Sequence, residues 1–473
     1  MSGHHTHETE SAPATGPRFC ERSCPLGIPV HALCTLHDAG RYNEAMRLLL
    51  SRSPFPGTAA RLCSRPCEKG CPLSEQGRAP AVRELERFLA DHAQHSCVTP
   101  LPCSGKRVAV VGAGPAGLSA ARFASLLGHS VDIYERGPLA GGIPRLAVPA
   151  FRLPRHIIDR EAATAFEGDV RFFPNVAVGR DLMLADLLER YDACILAVGL
   201  WTERMLTMPG SEHFQPAFAW LCRMALEPET LAGRDVAVLG GSDVAFDCAR
   251  TAVRLNARSV QLICLESEAA LLSAREDASL AKAEGVQIHA SIIGRSVVED
   301  HGRLRLDAEK VLSFRFNEYC QLCVELAENS ACSFEADLFF CSNGLVFEET
   351  VLSGVEVERN SRGRILTDED GRTSIPHLFA AGDMAAGPTR AVSAMAFGRR
   401  AAEAVHQFLT GQPAPQFIPE TDTSAASAPF FRERLPASVP FAEARASLSS
   451  EQAAREAAAC LSCTDCTAQP SEI

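Results

Sequence analysis

The chain has 473 residues, 46% hydrophobic and 22% charged, and a formal net charge of −12. That length exceeds what one core supports and suggests about three domains; the acidic balance argues against nucleic-acid binding, which needs a basic surface, and no apolar stretch reaches the ~18 residues of a membrane span. Nineteen cysteines without an export signal point to a reducing, cytoplasmic setting in which thiols serve metals or cores rather than disulfides.

Residues 1–18 are polar, carry His4, His5 and His7, and lack the basic-then-apolar order of a signal peptide, so they read as a disordered lead. Residues 19–103 read as short helices around cysteine-bearing loops, with Cys20, Cys24, Cys63, Cys67 and Cys71 in the loops and Cys34 as packing. Apolar spacing predicts a helix over Tyr42–Leu50, stopped by Pro54 and Pro56, and another over Val82–His92. Arg107–Val111 reads as a buried parallel strand running into Gly112, and Asp235–Leu239 runs into Gly240 in the same way. The spacing of the two units predicts one nucleotide domain inserted in another: 104–230 and 344–410 form the outer domain, 231–343 the inner. Residues 411–473 read as an extended Pro/Ala/Ser-rich arm with a last helix over Ser450–Ala459 that delivers Cys460, Cys463 and Cys466. The expected fold is therefore α/β, with two nested Rossmann-type domains preceded by an α-helical domain.

Gly112-Ala113-Gly114-Pro115-Ala116-Gly117 has the G-x-G-x-x-G form between a strand and a helix. Gly112 permits the tight turn, Gly114 lets backbone approach a pyrophosphate, and Gly117 lets helix and strand close up. The pyrophosphate would meet the positive helix end near Pro115 and Ala116. The strand Ser130–Tyr134 ends at Glu135, the expected acceptor for a ribose hydroxyl. In the second turn, Gly240-Gly241-Ser242-Asp243-Val244-Ala245, Ser242 stands where the second glycine belongs and narrows the room for a pyrophosphate. The strand Ser259–Leu265 ends at Glu266, and a carboxylate there favours NAD(H) over NADP(H) by repelling the 2′-phosphate.

Leu139-Ala140-Gly141-Gly142-Ile143-Pro144-Arg145 and His377–Asp383 resemble segments of two-dinucleotide-domain flavoproteins, and Tyr191–Gly199 resembles the strand by which such chains leave the first flavin segment. The resemblance implies FAD, with Gly142, Arg145, Gly199 and Gly382 in its site and Asp383 on the ribityl chain. Arg61–Cys71, Cys20–Pro25, Ile28-Pro29 and Pro54-Phe55-Pro56 resemble the iron–sulfur domain of the glutamate synthase small subunit and, more distantly, that of dihydropyrimidine dehydrogenase. This likeness covers nearly the whole chain and implies two 4Fe-4S clusters. One would use Cys24, Cys63, Cys67 and Glu86; the other would use Cys20, Cys71 and two cysteines of an upstream CxxC. No cysteine precedes Cys20. Instead Glu451–Cys463 resembles the family's lead-in helix and CxxC, moved to the C-terminus, so Cys460 and Cys463 are expected to complete the second cluster. Shared ligation with a partner protein, or zinc, are the alternatives for Cys460, Cys463 and Cys466.

Hydride transfer from a nicotinamide to a flavin needs stacking and orientation rather than a general acid or base, so no catalytic side chain is expected. The expected function is a FAD-containing electron-transfer subunit that passes electrons between NADH and clusters wired to a separate catalytic subunit. That partner would be a metalloenzyme or an amidotransferase-type subunit, and an additional ferredoxin-like subunit is a further candidate. The alternatives are a glutamate synthase small subunit using NADPH, a flavin-bifurcating transhydrogenase subunit, and a non-catalytic interaction module that keeps the fold.

Overall fold

The structure is a computed structural model that describes residues 18–77, 79–93, 98–271, 275–317, 322–415, 417 and 447–461. It opens with six helices: α1 (Phe19–Ser23), α2 (Val30–Asp38), α3 (Tyr42–Leu50), α4 (Pro56–Leu62), α5 (Pro66–Lys69) and α6 (Val82–His92). The last of these and α3 have the expected bounds, because each turns one apolar face inward: Ala45, Met46 and Leu49, and Leu85, Phe88 and Leu89. Proline opens α4 and α5, where its missing N–H has no partner to lose. Cys34 is fully buried in this core, as expected.

Next come β1 (Arg107–Val111), α7 (Pro115–Leu126), β2 (Ser130–Glu135), α8 (Gly142–Leu146), α9 (Arg155–Ala165), β3 (Val170–Pro174), α10 (Leu184–Arg190) and β4 (Ala193–Leu196). The chain leaves this unit through β5 (Thr202–Glu203) and builds β6 (Phe214–Pro216), α11 (Ala217–Leu226), β7 (Asp235–Leu239), α12 (Asp243–Arg254), β8 (Ser259–Ile263), α13 (Arg275–Ala283) and β9 (Gln287–His289). An antiparallel ribbon follows, β10 (Ile292–Asp300), β11 (Arg303–Phe316) and β12 (Leu322–Ala336). The return runs through β13 (Leu338–Cys341) and β14 (Leu345–Val346) to β15 (Leu378–Ala380), α14 (Asp383–Ala386) and α15 (Ala391–Thr410). The C-terminal helix is α16 (Ser450–Leu461).

Two parallel five-stranded sheets result, ordered β15-β4-β1-β2-β3 and β6-β13-β7-β8-β9. The strands that run into glycine, β1 and β7, are central in each, which places both turns at the carboxyl edge where open α/β sheets take ligands. The antiparallel pair β5–β14 is the doorway between the units. The second unit begins earlier than the expected residue 231, since β6 pairs with β13 and Trp220 of α11 packs on Phe340 at 4.5 Å. A three-residue strand ending in proline carries no periodicity from which to read it. The ribbon is defined by its antiparallel pairing, with Leu304, Leu306 and Ala308 alternating toward the core.

One continuous apolar core joins the helical module to the first sheet, running from Leu33 and Leu89 through Phe123 to Val405. Helix α15 lies so close on α7 that a Cβ at Gly398 would sit 2.0 Å from the Ala116 carbonyl oxygen. Helix α16 packs on α2 and α6 and buries Ala453 and Ala457 completely in the same core. Most of the arm expected over 411–449 lies outside the described residues. Among the described residues, no helix is long and apolar enough to cross a membrane.

A polar tie between module and sheet is Glu161 of α9, which is fully buried. Its carboxylate accepts hydrogen bonds from the backbone N–H of Gly57 and Thr58 and from the Thr58 hydroxyl, the last two at 2.9 and 2.6 Å. Glu161→Ala strands these buried donors, at roughly 1–3 kcal/mol each. A fall in melting temperature with early loss of iron, measured by a thermal ramp with an iron chelator, is the expected outcome; an unchanged ramp would refute the tie.

Candidate functional site

The first glycine turn is built by close approaches. Gly112 has φ +100°, and a Cβ there would lie 2.6 Å from the Ala197 carbonyl oxygen; at Gly117 it would lie 1.9 Å from the Gly112 carbonyl oxygen. Gly114 differs: its φ is an ordinary −80°, and a Cβ would meet nothing nearer than the Gly142 Cα at 3.9 Å. Open space therefore lies beside Gly114, at the start of α7, where the first helix N–H groups, beginning with Ala116, lack intrahelical carbonyl partners and can face an anion. Glu135 closes the turn, since its two carboxylate oxygens accept from the N–H of Ala113 and Gly137 at 2.8 Å each.

The second turn repeats this backbone. Gly240 has φ +134°, and a Cβ would lie 2.6 Å from the Ser342 carbonyl oxygen, the counterpart of Gly112 and Ala197. Ala245, fully buried, replaces the third glycine. Ser242 caps α12, its Oγ accepting from the Ala245 N–H at 3.4 Å and lying 2.8 Å from the Ser342 hydroxyl. Its hydroxyl is thus engaged by the protein itself. Glu266 lies three residues beyond the end of β8 and rests on the turn, with its Oε2 2.5 Å from where a Gly241 Cβ would be.

Both turns face one cavity of about 970 Å³. Gly112, Gly114, Pro115, Ala116, Glu135, Gly142, Gly199, Gly382 and Asp383 line it from the first unit, and Ser242, Asp243 and Val244 from the second. Gly117, Gly240, Ala245 and Glu266 stand outside its walls: three shape the backbone behind them, and Glu266 rests on Gly241. Arg145 departs from expectation, because it pairs with Asp159 of α9 instead of lining the cavity. Asp383 is held by the Thr389 N–H and hydroxyl at 3.1 and 2.6 Å, and burial raises its carboxyl above the usual range. Trp201, Arg152, Asp247 and Arg390 also line the cavity, and no motif marked them. Burial pushes the Asp247 carboxyl up to about 6, against the pull of Arg152. The signal available was the i, i+4 pair Asp243 and Asp247 near the start of a dinucleotide helix, an odd place for two anions.

The cysteine loop lies at the edge of this cavity, since Leu62 is in its wall and Cys63 follows. Cys24, Cys63, Cys67 and Glu86 share one desolvated site, close enough that Glu86 acts on all three thiols. Burial, reinforced by Glu86, raises each thiol, Cys63 to about 12, and burial pushes Glu86 up to about 8. Four donors whose charged forms are penalised by burial fit a cationic iron core, which would favour their deprotonation and compensate the charge. Among the described residues no three such side chains converge on a single-ion site. Cys20 and Cys71 flank the contact of α1 with α5, where the Phe19 ring lies against Gly70. Cys463 and Cys466 lie outside the described residues, and α16 carries Cys460 in its last turn. Among the other described cysteines, Cys194, Cys248, Cys264 and Cys341 are buried, whereas Cys103 and Cys323 are exposed.

The profile of the pyridine nucleotide-disulphide oxidoreductases matches residues 106–398, and that of dihydropyrimidine dehydrogenase domain II, 4Fe-4S cluster, matches residues 8–98. The β subunit of an NADP(+)-dependent formate dehydrogenase from Moorella thermoacetica is 30% identical over 436 residues, which cover 85% of this chain but 62% of that relative. The chain therefore spans under two thirds of it. The NADPH glutamate synthase small chain of Mycobacterium tuberculosis is 31% identical over 437 residues, covering 85% of this chain and 88% of that one. The solved structure of Mycobacterium tuberculosis FprA in complex with NADPH covers 66% of this chain and 85% of its own, with a TM-score of 0.53 at 18% identity, a likeness of fold.

The glycine geometry separates two substitutions. Gly114→Val places its bulk in open space at an ordinary φ, so the protein should purify folded with the absorbance at 450 nm per chain reduced at least about tenfold. Gly112→Val forces a Cβ onto the Ala197 carbonyl and should lower soluble yield instead. Full flavin retention in a folded Gly114→Val protein would show that this space is not the dinucleotide site.

Proposed function

We propose that this chain, which belongs to the pyridine nucleotide-disulphide oxidoreductase family, works as the electron-transfer subunit of a larger enzyme, between NADH and 4Fe-4S clusters by way of FAD. At the coarser level it is a glutamate synthase small-chain-like, NAD(P)H-dependent FAD and iron–sulfur oxidoreductase. The observation that carries the reading is the shared cavity: both glycine turns open on it, and its wall includes Leu62, the residue before Cys63. FAD in this space supplies the conversion between the two-electron hydride of a nicotinamide and the single electrons of clusters.

The chain's own residues hold and orient. Gly112, Gly114 and the first turn of α7 take the flavin nucleotide's pyrophosphate, Glu135 its ribose, and Asp383, fixed by Thr389, its ribityl chain. Gly240, Ser242 and the start of α12 take the nicotinamide nucleotide. Glu266 supports NADH, as a carboxylate accepts from the 2′-hydroxyl and repels a 2′-phosphate. The relatives named for NADPH and NADP(+) favour the second reading, an NADPH-using small subunit of the glutamate synthase kind. Cys24, Cys63, Cys67 and Glu86 hold one cluster. Helix α16 supports a second: it lies on α2 and α6, and Glu456 accepts from the Ala81 N–H at 2.9 Å, one turn before Cys460. On this reading Cys460 and Cys463 join Cys20 and Cys71 in the same chain. The partner is a separate catalytic subunit, of the metalloenzyme or amidotransferase type, since relatives carry the names of a β subunit and a small chain.

Anaerobic titration with NADH should bleach the flavin at 450 nm and raise a reduced-cluster EPR signal. NADH should exceed NADPH in kcat/KM by at least about tenfold, and Glu266→Ala should narrow the ratio. A clear NADPH preference would overturn the NADH assignment and leave the second reading. Replacing Cys460 and Cys463 by Ser should remove about half of the iron, with the flavin retained; unchanged iron would refute the C-terminal ligands.

A further inference from the structure

The second unit meets the rest of the molecule through a set of charged contacts. Arg152, on the loop before α9, puts Nη1 2.7 Å from both carboxylate oxygens of Asp247 in α12. Both side chains are largely withdrawn from water, at 14% and 6% exposure. Arg390, the residue before α15, reaches Asp243 in the first turn of the same helix at 3.4 Å. From α13, Glu276 meets Arg65 of the cysteine loop at 3.3 Å and Arg83 of α6 at 3.2 Å. A narrow crevice lined by Cys63, Arg83, Arg152, Arg250, Glu276 and Arg390 marks where the three parts come together.

Apolar burial would hold the unit in place without fixing its angle, because it has no direction. Guanidinium–carboxylate bonds have direction. A buried ion pair adds little net stability over a well-packed apolar substitute, so its retention at this point calls for a reason other than stability. Arg152, Asp247, Asp243 and Arg390 all line the shared cavity, and the two carboxylates lie on the first two turns of the helix whose start faces the nicotinamide nucleotide. We infer that Arg152–Asp247, with Arg390–Asp243 beside it, is a positioning clamp that sets the angle of α12 over the flavin space and thereby the approach of the nicotinamide ring. The clamp residues are positioning residues; hydride passes between the two bound nucleotides. This inference rests on the reading of the chain as an NADH-oxidising flavoprotein.

The test is anaerobic stopped-flow reduction of the full flavin-loaded chain by NADH, followed at 450 nm across NADH concentrations. In Asp247→Asn the saturating rate should fall on the order of 10- to 100-fold, while the half-saturating NADH concentration moves less than about threefold. Arg152→Lys, which keeps the charge and loses the guanidinium geometry, should fall between that variant and the wild type. Arg390→Gln, at the more exposed pair, gives a smaller loss of the same kind and serves if Asp247→Asn does not fold. A saturating rate equal to that of the wild type, with only the melting temperature lowered, would overturn the clamp, as would a loss confined to NADH affinity. Absence of bleaching in the wild type would instead overturn the reading on which the clamp depends.

Discussion

The carboxylate of Glu161 on the first turn of α4 is the contact on which the rest of the arrangement depends. A buried carboxylate is expensive unless its lone pairs are used, and here the Gly57 and Thr58 amides and the Thr58 hydroxyl use them. Helix α4 has seven residues, so fixing its start also fixes its end, and Cys63 is the residue that caps that end. Gly57 makes this possible, since a Cβ there would sit 2.9 Å from the Glu161 oxygen and 3.0 Å from the Ile157 methyl. Through Glu161, with Arg160 on the Ala90 carbonyl and Thr164 on the Pro54 carbonyl, α9 of the sheet domain sets the position of the cysteine loop relative to the cavity beside it. The apolar core around it supplies most of the stabilisation, and Glu161 supplies the register.

The two glycine turns show how much of a nucleotide site is backbone and how little is side chain. A Cβ added at Gly112 or at Gly240 would lie the same 2.6 Å from a carbonyl oxygen, although the residues around them differ. The sites diverge at the second glycine position. Gly114 leaves space at the helix start, while Ser242 fills it with a hydroxyl that caps α12 and meets Ser342. A cap bond satisfies one of the donors that would otherwise face a pyrophosphate. The second site therefore offers less to the phosphates than the first. That asymmetry suits a resident flavin in one site and an exchanging nucleotide in the other.

What was legible in the sequence follows the reach of each signal. The helices over Tyr42–Leu50 and Val82–His92 and the strands into Gly112 and Gly240 were readable because periodicity and glycine punctuation are local. The start of the inner unit was not, because β6 is three residues long and its membership is decided by pairing with β13, more than a hundred residues away. Arg145 was misplaced for a related reason: a motif gives its position on α8, but Asp159 on α9 decides where its guanidinium points. Trp201, Arg152 and Arg390 line the cavity only because loops distant in sequence converge there. The cysteine frame was readable as chemistry, but the docking of α16 on α2 and α6 is a tertiary fact.

The contrast between the two junctions bears on how such a chain can carry electrons in both one- and two-electron steps. The cysteine module and the first sheet share one apolar core that runs from Leu26 to Ala457, so their relative position is set by close packing, which resists small displacements in every direction. The second unit has its own core, which takes in Ala147 from the first unit with Ile143 and Trp201 packed against it. Beyond that it is joined by the β5–β14 pair, by Arg250 and Arg254 stacked on Phe151 of the first unit, and by ion pairs. Ion pairs fix an orientation through the direction of their bonds, which apolar contact by itself does not. Single-electron exchange between a flavin and a cluster wants a fixed geometry held by packing. Hydride transfer from a nucleotide that must arrive and depart wants an orientation that is defined when closed and can be released. The sequence distributes its apolar and charged residues between the two junctions in that way.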